Sequence, residues 1–216
     1  MIKHVLFDLD GTLTDPGEGI TNSVAYALER YGIEVKDKST LNCFIGPPLS
    51  QSFTKYFGFD EQRANEAVNV YREYFATKGI FENKLYDGVC ELLSDLKKEG
   101  KTVILATSKP EVFAVKILEH FKIMEYFDIV CGSELNGNRV DKHEVIECAL
   151  ERANITDRSN AVMVGDRLHD IIGAESSGLT SIGVTYGYGS LEELETAGAT
   201  HTVNTVEELK ALIFKL

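Results

Sequence analysis

Short apolar runs alternate with amphipathic helical patterns from residue 88 to the end of the chain, and this alternation constrains the fold more than any other feature. Each run is followed by a stretch with apolar residues at every third or fourth position, as in a helix. The runs are residues 103–106, 129–131, 161–164 and 181–184, and a fifth, Val5-Leu6-Phe7, lies near the start. Strands that alternate with helices form parallel sheets covered on both faces. We therefore expect an α/β fold with a doubly wound, Rossmann-like, parallel five-stranded sheet.

The region between the first strand and residue 83 has helical patterns only. Three of them follow one another near residues 20–31, 49–57 and 64–75, without an intervening strand. One border has Pro16, Gly17 and Gly19 and the other has Gly79 and Gly88, which permit a change of chain direction. The sequence therefore predicts a core domain of residues 1–14 and 83–216, with an all-helical cap domain of residues 15–82 inserted after the first strand.

Two aspartates directly follow the first apolar run, in the sequence Asp8-Leu9-Asp10-Gly11-Thr12. Ligands of doubly wound sheets bind beyond the carboxyl ends of the strands, where both side chains are expected. Adjacent carboxylates repel each other, so a cation or a shared proton usually holds them together. Gly11 allows the chain to turn sharply after them. The run predicts a cation beside this turn.

Polar residues also follow the second and third core strands. Thr107-Ser108-Lys109 comes directly after residues 103–106, where hydroxyls and backbone N–H groups can bind phosphate oxygens. Lys142 stands at the first turn of a predicted helix, although the helix dipole favours lysine at the other end. Either feature by itself is also typical of an ordinary helix start or a solvated surface.

A second pair of acids follows the fourth core strand, in Gly165-Asp166-Arg167-Leu168-His169-Asp170. Asp166 stands at the strand end, and Asp170 follows one helical turn later on the same side. Ligand sets made of oxygen atoms suit a hard cation such as Mg²⁺, which binds a few carboxylates together with water and substrate phosphate. The pair predicts a metal site shared with the first two aspartates.

In order and spacing, these strand ends resemble the four motifs of the haloacid dehalogenase-like phosphohydrolase superfamily. Within it the chain is most similar to the phosphoglycolate phosphatase branch, which Gly46-Pro47-Pro48-Leu49 and Thr185-Tyr186-Gly187-Tyr188-Gly189 also resemble. The matching positions are Asp8, Asp10, Thr107, Lys142, Asp166 and Asp170. Family members often have a proline after the third-motif lysine, whereas His143 follows it here.

The resemblance implies catalysis through a covalent aspartyl-phosphate. Asp8 would attack phosphorus, and Asp10 would act as acid and then as base. Mg²⁺ would be held by Asp8, the Asp10 carbonyl and Asp166, with Asp170 as a supporting partner. The phosphoryl oxygens would be bound by Thr107, Ser108 and Lys142.

The leaving group would be selected by a second set of residues. A helical cap that closes over the site favours a small phosphorylated metabolite, with phosphoglycolate first. The residues expected to contribute to specificity are Gly46, Pro47, Lys109 and Tyr186.

Composition restricts the partners. With 22 basic and 34 acidic residues the formal charge is −12, which disfavours nucleic acid and anionic membranes. The four cysteines are far apart, which fits a reducing cytoplasm rather than a zinc site or a disulfide framework. No apolar run reaches the ~20 residues that span a bilayer. The sequence does not distinguish a monomer from a homodimer.

Other functions share parts of this pattern. A nucleotide, sugar-phosphate or pyrophosphate hydrolase and a phosphomutase would have the same motifs. A phospho-accepting signalling module would also place acids, a hydroxyl and a lysine on a doubly wound sheet, but an acid–base at Asp10 promotes turnover, which a stable switch avoids. A non-catalytic scaffold would not require the full set of acids.

Overall fold

The computed structural model describes all 216 residues, which divide into two compact units. The core unit comprises residues 1–14 and 85–216, and the helical unit comprises residues 15–84. The predicted cap, residues 15–82, lies within the helical unit. None of the helices is both long enough and apolar enough to cross a membrane.

The strands and helices follow the predicted alternation. The strands are β1 (His4–Phe7), β2 (Thr14–Asp15), β3 (Lys84–Leu85), β4 (Thr102–Pro110), β5 (Ile129–Ser133), β6 (Ala161–Gly165), β7 (Thr180–Val184) and β8 (His201–Val203). The helices are α1 (Gly17–Glu29), α2 (Leu49–Phe57), α3 (Glu61–Tyr74), α4 (Val89–Lys98), α5 (Glu111–His120), α6 (Lys142–Arg152), α7 (Leu168–Ser176), α8 (Leu191–Thr196) and α9 (Val206–Lys215).

The core unit contains a parallel sheet with the strand order β5-β4-β1-β6-β7-β8. The doubly wound α/β fold is confirmed, but the sheet has six strands and the predicted number of five is wrong. The additional strand is β8, which has three residues and of which only Val203 is buried. Because it has no apolar run, the sequence pattern does not reveal it.

The central strand, β1, brings three loops together. Phe7, its last residue, pairs with Leu105 of β4 and with Val164 of β6. All three strands run in the same direction, so the residues that follow them reach one edge of the sheet. Asp8, the last residues of β4 (107–110) and the β6–α7 loop therefore begin at neighbouring positions along this edge.

The helical unit has its own apolar core. Rings from α2 and from the residues on either side of it pack in tilted, edge-to-face and stacked arrangements, with centroids 5.0–6.3 Å apart. The residues of this aromatic cluster are Phe44, Phe53, Tyr56, Phe57 and Phe59. Such ring pairs contribute about 0.5–1.5 kcal/mol each beyond the area they bury.

Where α1 begins, a Cβ on Gly19 would lie 1.9 Å from the carbonyl oxygen of Gly79, so this close approach requires glycine.

Candidate active site

Three buried carboxylates form a cluster at the carboxyl edge of the sheet. Asp8, Asp166 and Asp170 each offer an oxygen, and these oxygens lie within 4.8 Å of one another. The three residues are 6%, 0% and 1% exposed. Asp8 follows β1, Asp166 follows β6, and Asp170 lies in the first turn of α7, so two separate strand ends build the cluster. The structure thus brings together three of the four acids that the sequence assigned to a metal site, whereas the side chain of the fourth, Asp10, pairs with Lys109.

Burial and mutual repulsion shift the pKa values of two of these acids. Burial raises the pKa of Asp166 well above its usual value, and the charges of Asp170 and Asp8 raise it further. Burial also raises the pKa of Asp170 to about 6, against the opposing effect of Lys142. Ionised carboxylates at this density need a compensating cation.

The donor set fits a hard divalent cation. The ligand atoms in the cluster are all oxygens, as Mg²⁺ prefers. The Oδ1 atoms of Asp8 and Asp170 are both buried, and one ammonium group, that of Lys142, lies 2.8 Å from each of them. One ammonium group among three buried carboxylates leaves negative charge that a divalent ion can neutralise. The residues present therefore match the ion that the sequence motifs predict.

Lys142 reaches into the cluster from the start of α6. Its Nζ lies 2.8 Å from Asp8 Oδ1 and 2.8 Å from Asp170 Oδ1, and it donates a hydrogen bond to the carbonyl oxygen of Ala106 at 3.1 Å. Burial alone would lower its pKa, but the carboxylates of Asp170 and Asp8 raise it above the ordinary value, so the ammonium form persists. The unusual position of a lysine at a helix N-terminus is explained by these contacts.

Lys109 forms a second buried ion pair, with Asp10. Lys109 Nζ lies 2.5 Å from Asp10 Oδ2, and the two side chains are 6% and 13% exposed. Burial raises the pKa of Asp10, and the neighbouring ammonium of Lys109 offsets part of this shift. Sequence reasoning assigned Lys109 to substrate specificity and did not anticipate this pair, because 99 residues separate the partners.

Thr107 and Ser108 lie where the pairing of β4 with β5 becomes irregular. The register shifts between Thr107 and Pro110, and this lifts the intervening residues out of the regular ladder. Thr107 is buried, and its Oγ1 accepts a hydrogen bond from the Lys109 N–H at 3.3 Å. Its hydroxyl proton can therefore be donated to an anion. Phosphate binding by Thr107, Ser108 and Lys142 stays a prediction.

Two loops hold Asp166 in place. The backbone N–H of Tyr188 donates to Asp166 Oδ2 at 2.8 Å, and the Thr12 hydroxyl lies 3.4 Å from Oδ1. Gly11 has φ +85°, and a Cβ there would lie 2.1 Å from Asp166 Oδ2. Gly11 is thus required both for its left-handed backbone and for space. Sequence reasoning singled out Gly11, and it named Thr12 and Tyr188 in motifs without predicting their contacts with Asp166.

The remaining residues predicted to affect specificity fall into different units. Tyr186 belongs to the core unit, where its hydroxyl donates to the carbonyl oxygen of Thr12 at 2.9 Å. Gly46 and Pro47 belong to the helical unit, directly before α2. The selection of a leaving group by these residues stays a prediction.

Comparisons with known proteins agree on the family. The haloacid dehalogenase-like hydrolase family matches residues 5–184. A 5'-nucleotidase of Pseudomonas aeruginosa is 48% identical over 97% of this chain and 95% of that protein. The crystal structure of a predicted phosphatase from Clostridium acetobutylicum is 54% identical, with a TM-score of 0.97 and 100% of both chains covered.

Other relatives carry different names. A Mycobacterium tuberculosis protein named tyrosine-protein kinase PtkA is 37% identical over 95% of this chain and 70% of that protein. A phosphoglycolate phosphatase of Vibrio parahaemolyticus is 29% identical over 98% of this chain and 96% of that protein. Resemblance to phosphoglycolate phosphatases is therefore real, but more distant than resemblance to the 5'-nucleotidase.

Proposed function

The chain belongs to the haloacid dehalogenase-like hydrolase family and is a phosphatase, and on this premise we propose that it hydrolyses nucleoside 5'-monophosphates with Mg²⁺ through an aspartyl-phosphate on Asp8. One observation carries the proposal: the carboxylates of Asp8, Asp166 and Asp170 lie within 4.8 Å of one another, with Lys142 Nζ 2.8 Å from two of them. Such a cluster can bind a metal ion beside a nucleophile.

The charges of the site support a divalent cation. Four carboxylates, those of Asp8, Asp10, Asp166 and Asp170, face the ammonium groups of Lys109 and Lys142. When all are ionised, the excess of two negative charges matches one divalent ion. Mg²⁺ would be held by Asp8, the Asp10 carbonyl and Asp166, with Asp170 beside them, and it would supply positive charge between nucleophile and phosphate.

Two displacements at phosphorus complete the reaction. In the first, a carboxylate oxygen of Asp8 bonds to phosphorus, the bond from phosphorus to the leaving oxygen breaks, and Asp10, in the protonated form that its burial favours, gives that oxygen a proton. In the second, a water oxygen bonds to phosphorus while Asp10 takes its proton. The bond from phosphorus to Asp8 then breaks and releases inorganic phosphate.

The phosphoryl oxygens need donors that are already in place. Lys142 is held in place by its contacts with Asp8 and Asp170. Its ammonium group can stabilise the negative charge that develops on the phosphoryl oxygens in the transition state. The Thr107 hydroxyl and the Ser108 N–H, at the irregular end of β4, would bind the other oxygens. These groups would orient the phosphate in line with Asp8.

The proposed substrate class is taken from the relative with the higher sequence identity to this chain. The sequence motifs placed phosphoglycolate first and a nucleotide among the alternatives. The 5'-nucleotidase is 48% identical over nearly the whole chain, whereas the phosphoglycolate phosphatase is 29% identical. We therefore place nucleoside 5'-monophosphates first. The helical unit, with Gly46 and Pro47, would distinguish the leaving groups.

A cytoplasmic location is part of the proposal. All four cysteines are free thiols, as a reducing compartment maintains them. Small phosphorylated metabolites would be the partners of the site. The net charge of −12 argues against polyanionic partners.

The proposal is tested by phosphate release from a panel of monoesters with Mg²⁺ and with EDTA. The panel contains nucleoside 5'-monophosphates, 2-phosphoglycolate, sugar phosphates and pyrophosphate. We expect Mg²⁺-dependent release, highest kcat/KM on a nucleotide, and loss of at least 10³-fold in Asp8→Asn.

The outcomes separate the alternatives. Release that persists in Asp8→Asn or in EDTA would refute the mechanism. A preference for 2-phosphoglycolate would retain the mechanism and overturn the nucleotide assignment. Absence of release from every substrate would favour a phospho-accepting module.

A further inference from the structure

Residues 185–189, which follow β7, form a loop that touches the candidate metal site rather than lying free at the surface. Tyr186 anchors its first half. The hydroxyl of Tyr186 donates to the Thr12 carbonyl oxygen at 2.9 Å, and its ring meets the edge of Tyr86 with centroids 4.9 Å apart. The loop is thereby tied to the turn that carries Asp8 and Asp10.

The second half of the same loop holds Asp166. The Tyr188 N–H donates to Asp166 Oδ2 at 2.8 Å. Asp166 is fully buried and lies beside Asp8 and Asp170, whose charges repel its own. A donor at this position opposes rotation of the carboxylate away from its neighbours.

Two glycines bring the loop backbone against Asp166. A Cβ on Gly187 would lie 2.3 Å from the Gly11 carbonyl oxygen and 2.5 Å from Asp166 Cβ. A Cβ on Gly189 would lie 1.9 Å from the carbonyl oxygen of Asp166. Neither glycine has a positive φ, so both positions need glycine for space rather than for backbone freedom.

We infer that residues 185–189 are a positioning element that fixes the Asp166 carboxylate for the divalent cation. The loop joins the first-motif turn, through Thr12, to the fourth-motif acid, through the Tyr188 N–H. Partners that orient metal ligands typically change metal affinity by 10–100-fold. This role for Tyr186 differs from contact with the leaving group. The inference rests on the metal site of the proposed function.

Affinity for Mn²⁺ tests the role without any catalytic assay. Mn²⁺ has the charge and oxygen preference of Mg²⁺, and its free ion is counted by electron paramagnetic resonance in titrations of the full chain. We expect Gly187→Ala to weaken Mn²⁺ binding at least tenfold, since its methyl group would displace Asp166. Tyr186→Phe, which removes one hydrogen bond, should weaken it about fivefold.

Two matched variants control for general disruption. Gly79→Ala introduces a similarly close contact, 2.5 Å from Ser23 Oγ, within the helical unit. Tyr188→Phe alters the same loop but keeps the N–H that binds Asp166. Both should bind Mn²⁺ within twofold of wild type, and thermal melting identifies any variant that fails to fold.

The possible results are distinct. Wild-type affinity in folded Gly187→Ala and Tyr186→Phe would overturn the positioning role and leave the metal site intact. An equal loss in Gly79→Ala or Tyr188→Phe would also overturn it, because the effect would then be a general one. Absence of Mn²⁺ binding by the wild type would overturn the metal site itself, and this role with it.

Discussion

The buried carboxylates should make the stability of the metal-free protein depend on pH. The pKa of Asp170 is raised from 3.8 to about 6, chiefly by burial, and that of Asp166 is raised as well. A raised folded-state pKa stabilises the protein at pH values below about 4, and this contribution is lost as the pH rises through 6. For Asp170 it is on the order of 3 kcal/mol. We expect the melting temperature in EDTA to fall between pH 4 and pH 7.

Mg²⁺ and a neutral side chain provide the controls. Bound Mg²⁺ compensates the ionised acids, so it should raise the melting temperature more at pH 7 than at pH 5. Asp170→Asn removes the titrating group and should flatten the pH profile measured in EDTA. Equal stabilisation by Mg²⁺ at both pH values would contradict this account of the cluster.

The effects of Lys109 and Asp10 substitutions on the free energy of unfolding should depend strongly on each other. Lys109→Met leaves the buried Asp10 carboxylate without its cation, and breaking such a pair costs about 3 kcal/mol. Asp10→Asn/Lys109→Met should recover most of this loss, because both charges are then absent. Urea unfolding of the single and double variants measures the coupling. Additive losses would show that the two side chains do not depend on each other.

At the residue scale, the sequence identified groups that follow strands and missed groups that meet through loops. Asp8 and Asp166 each follow an apolar run, so the parallel order of the strands predicts their proximity. The hydrogen bond from the Tyr188 N–H to Asp166 depends on how a loop folds back. Backbone contacts of this kind leave no side-chain pattern in the sequence.

At the scale of elements, the long periodic segments were predictable and the short polar ones were not. β6 and residues 103–106 of β4 are apolar runs in the alternation of strands and helices, and the sequence predicts both. The polar residues 107–110, which the sequence places after the strand, are the last four residues of β4. β8 has an exposed Thr202 and only three residues, and it is ordered by pairing with β7. Its existence depends on tertiary contact rather than on its own composition.

The helix α6 shows how an element can contradict a local preference for a functional reason. Asp141 caps it by accepting the His143 N–H at 2.8 Å, as the dipole favours. Lys142 in its first turn is disfavoured by the same dipole, but two carboxylates surround its ammonium. A residue that is unfavourable for its helix is thus retained by the site. Conflicts of this kind in a sequence therefore point to functional positions.

At the scale of the whole molecule, net charge should oppose the approach of the substrate. The chain carries −12, and a phosphomonoester is a dianion near pH 7, so their long-range interaction is repulsive. The four acids and two lysines of the site, together with one divalent ion, are close to neutral and would not reverse this field. Salt shortens the range of the repulsion to about 8 Å at 0.15 M. We expect kcat/KM to rise about twofold between 20 and 200 mM NaCl at fixed free Mg²⁺.

A substrate of different charge isolates this effect from specific actions of salt. A monoester whose leaving group carries a quaternary ammonium has one negative charge fewer, so its kcat/KM should rise less over the same range. Parallel slopes for the two substrates would attribute the change to the protein rather than to charge repulsion. A fall in kcat/KM with salt would mean that the lysines and the bound cation dominate the field in front of the site, and that local charge outweighs the net charge of the chain.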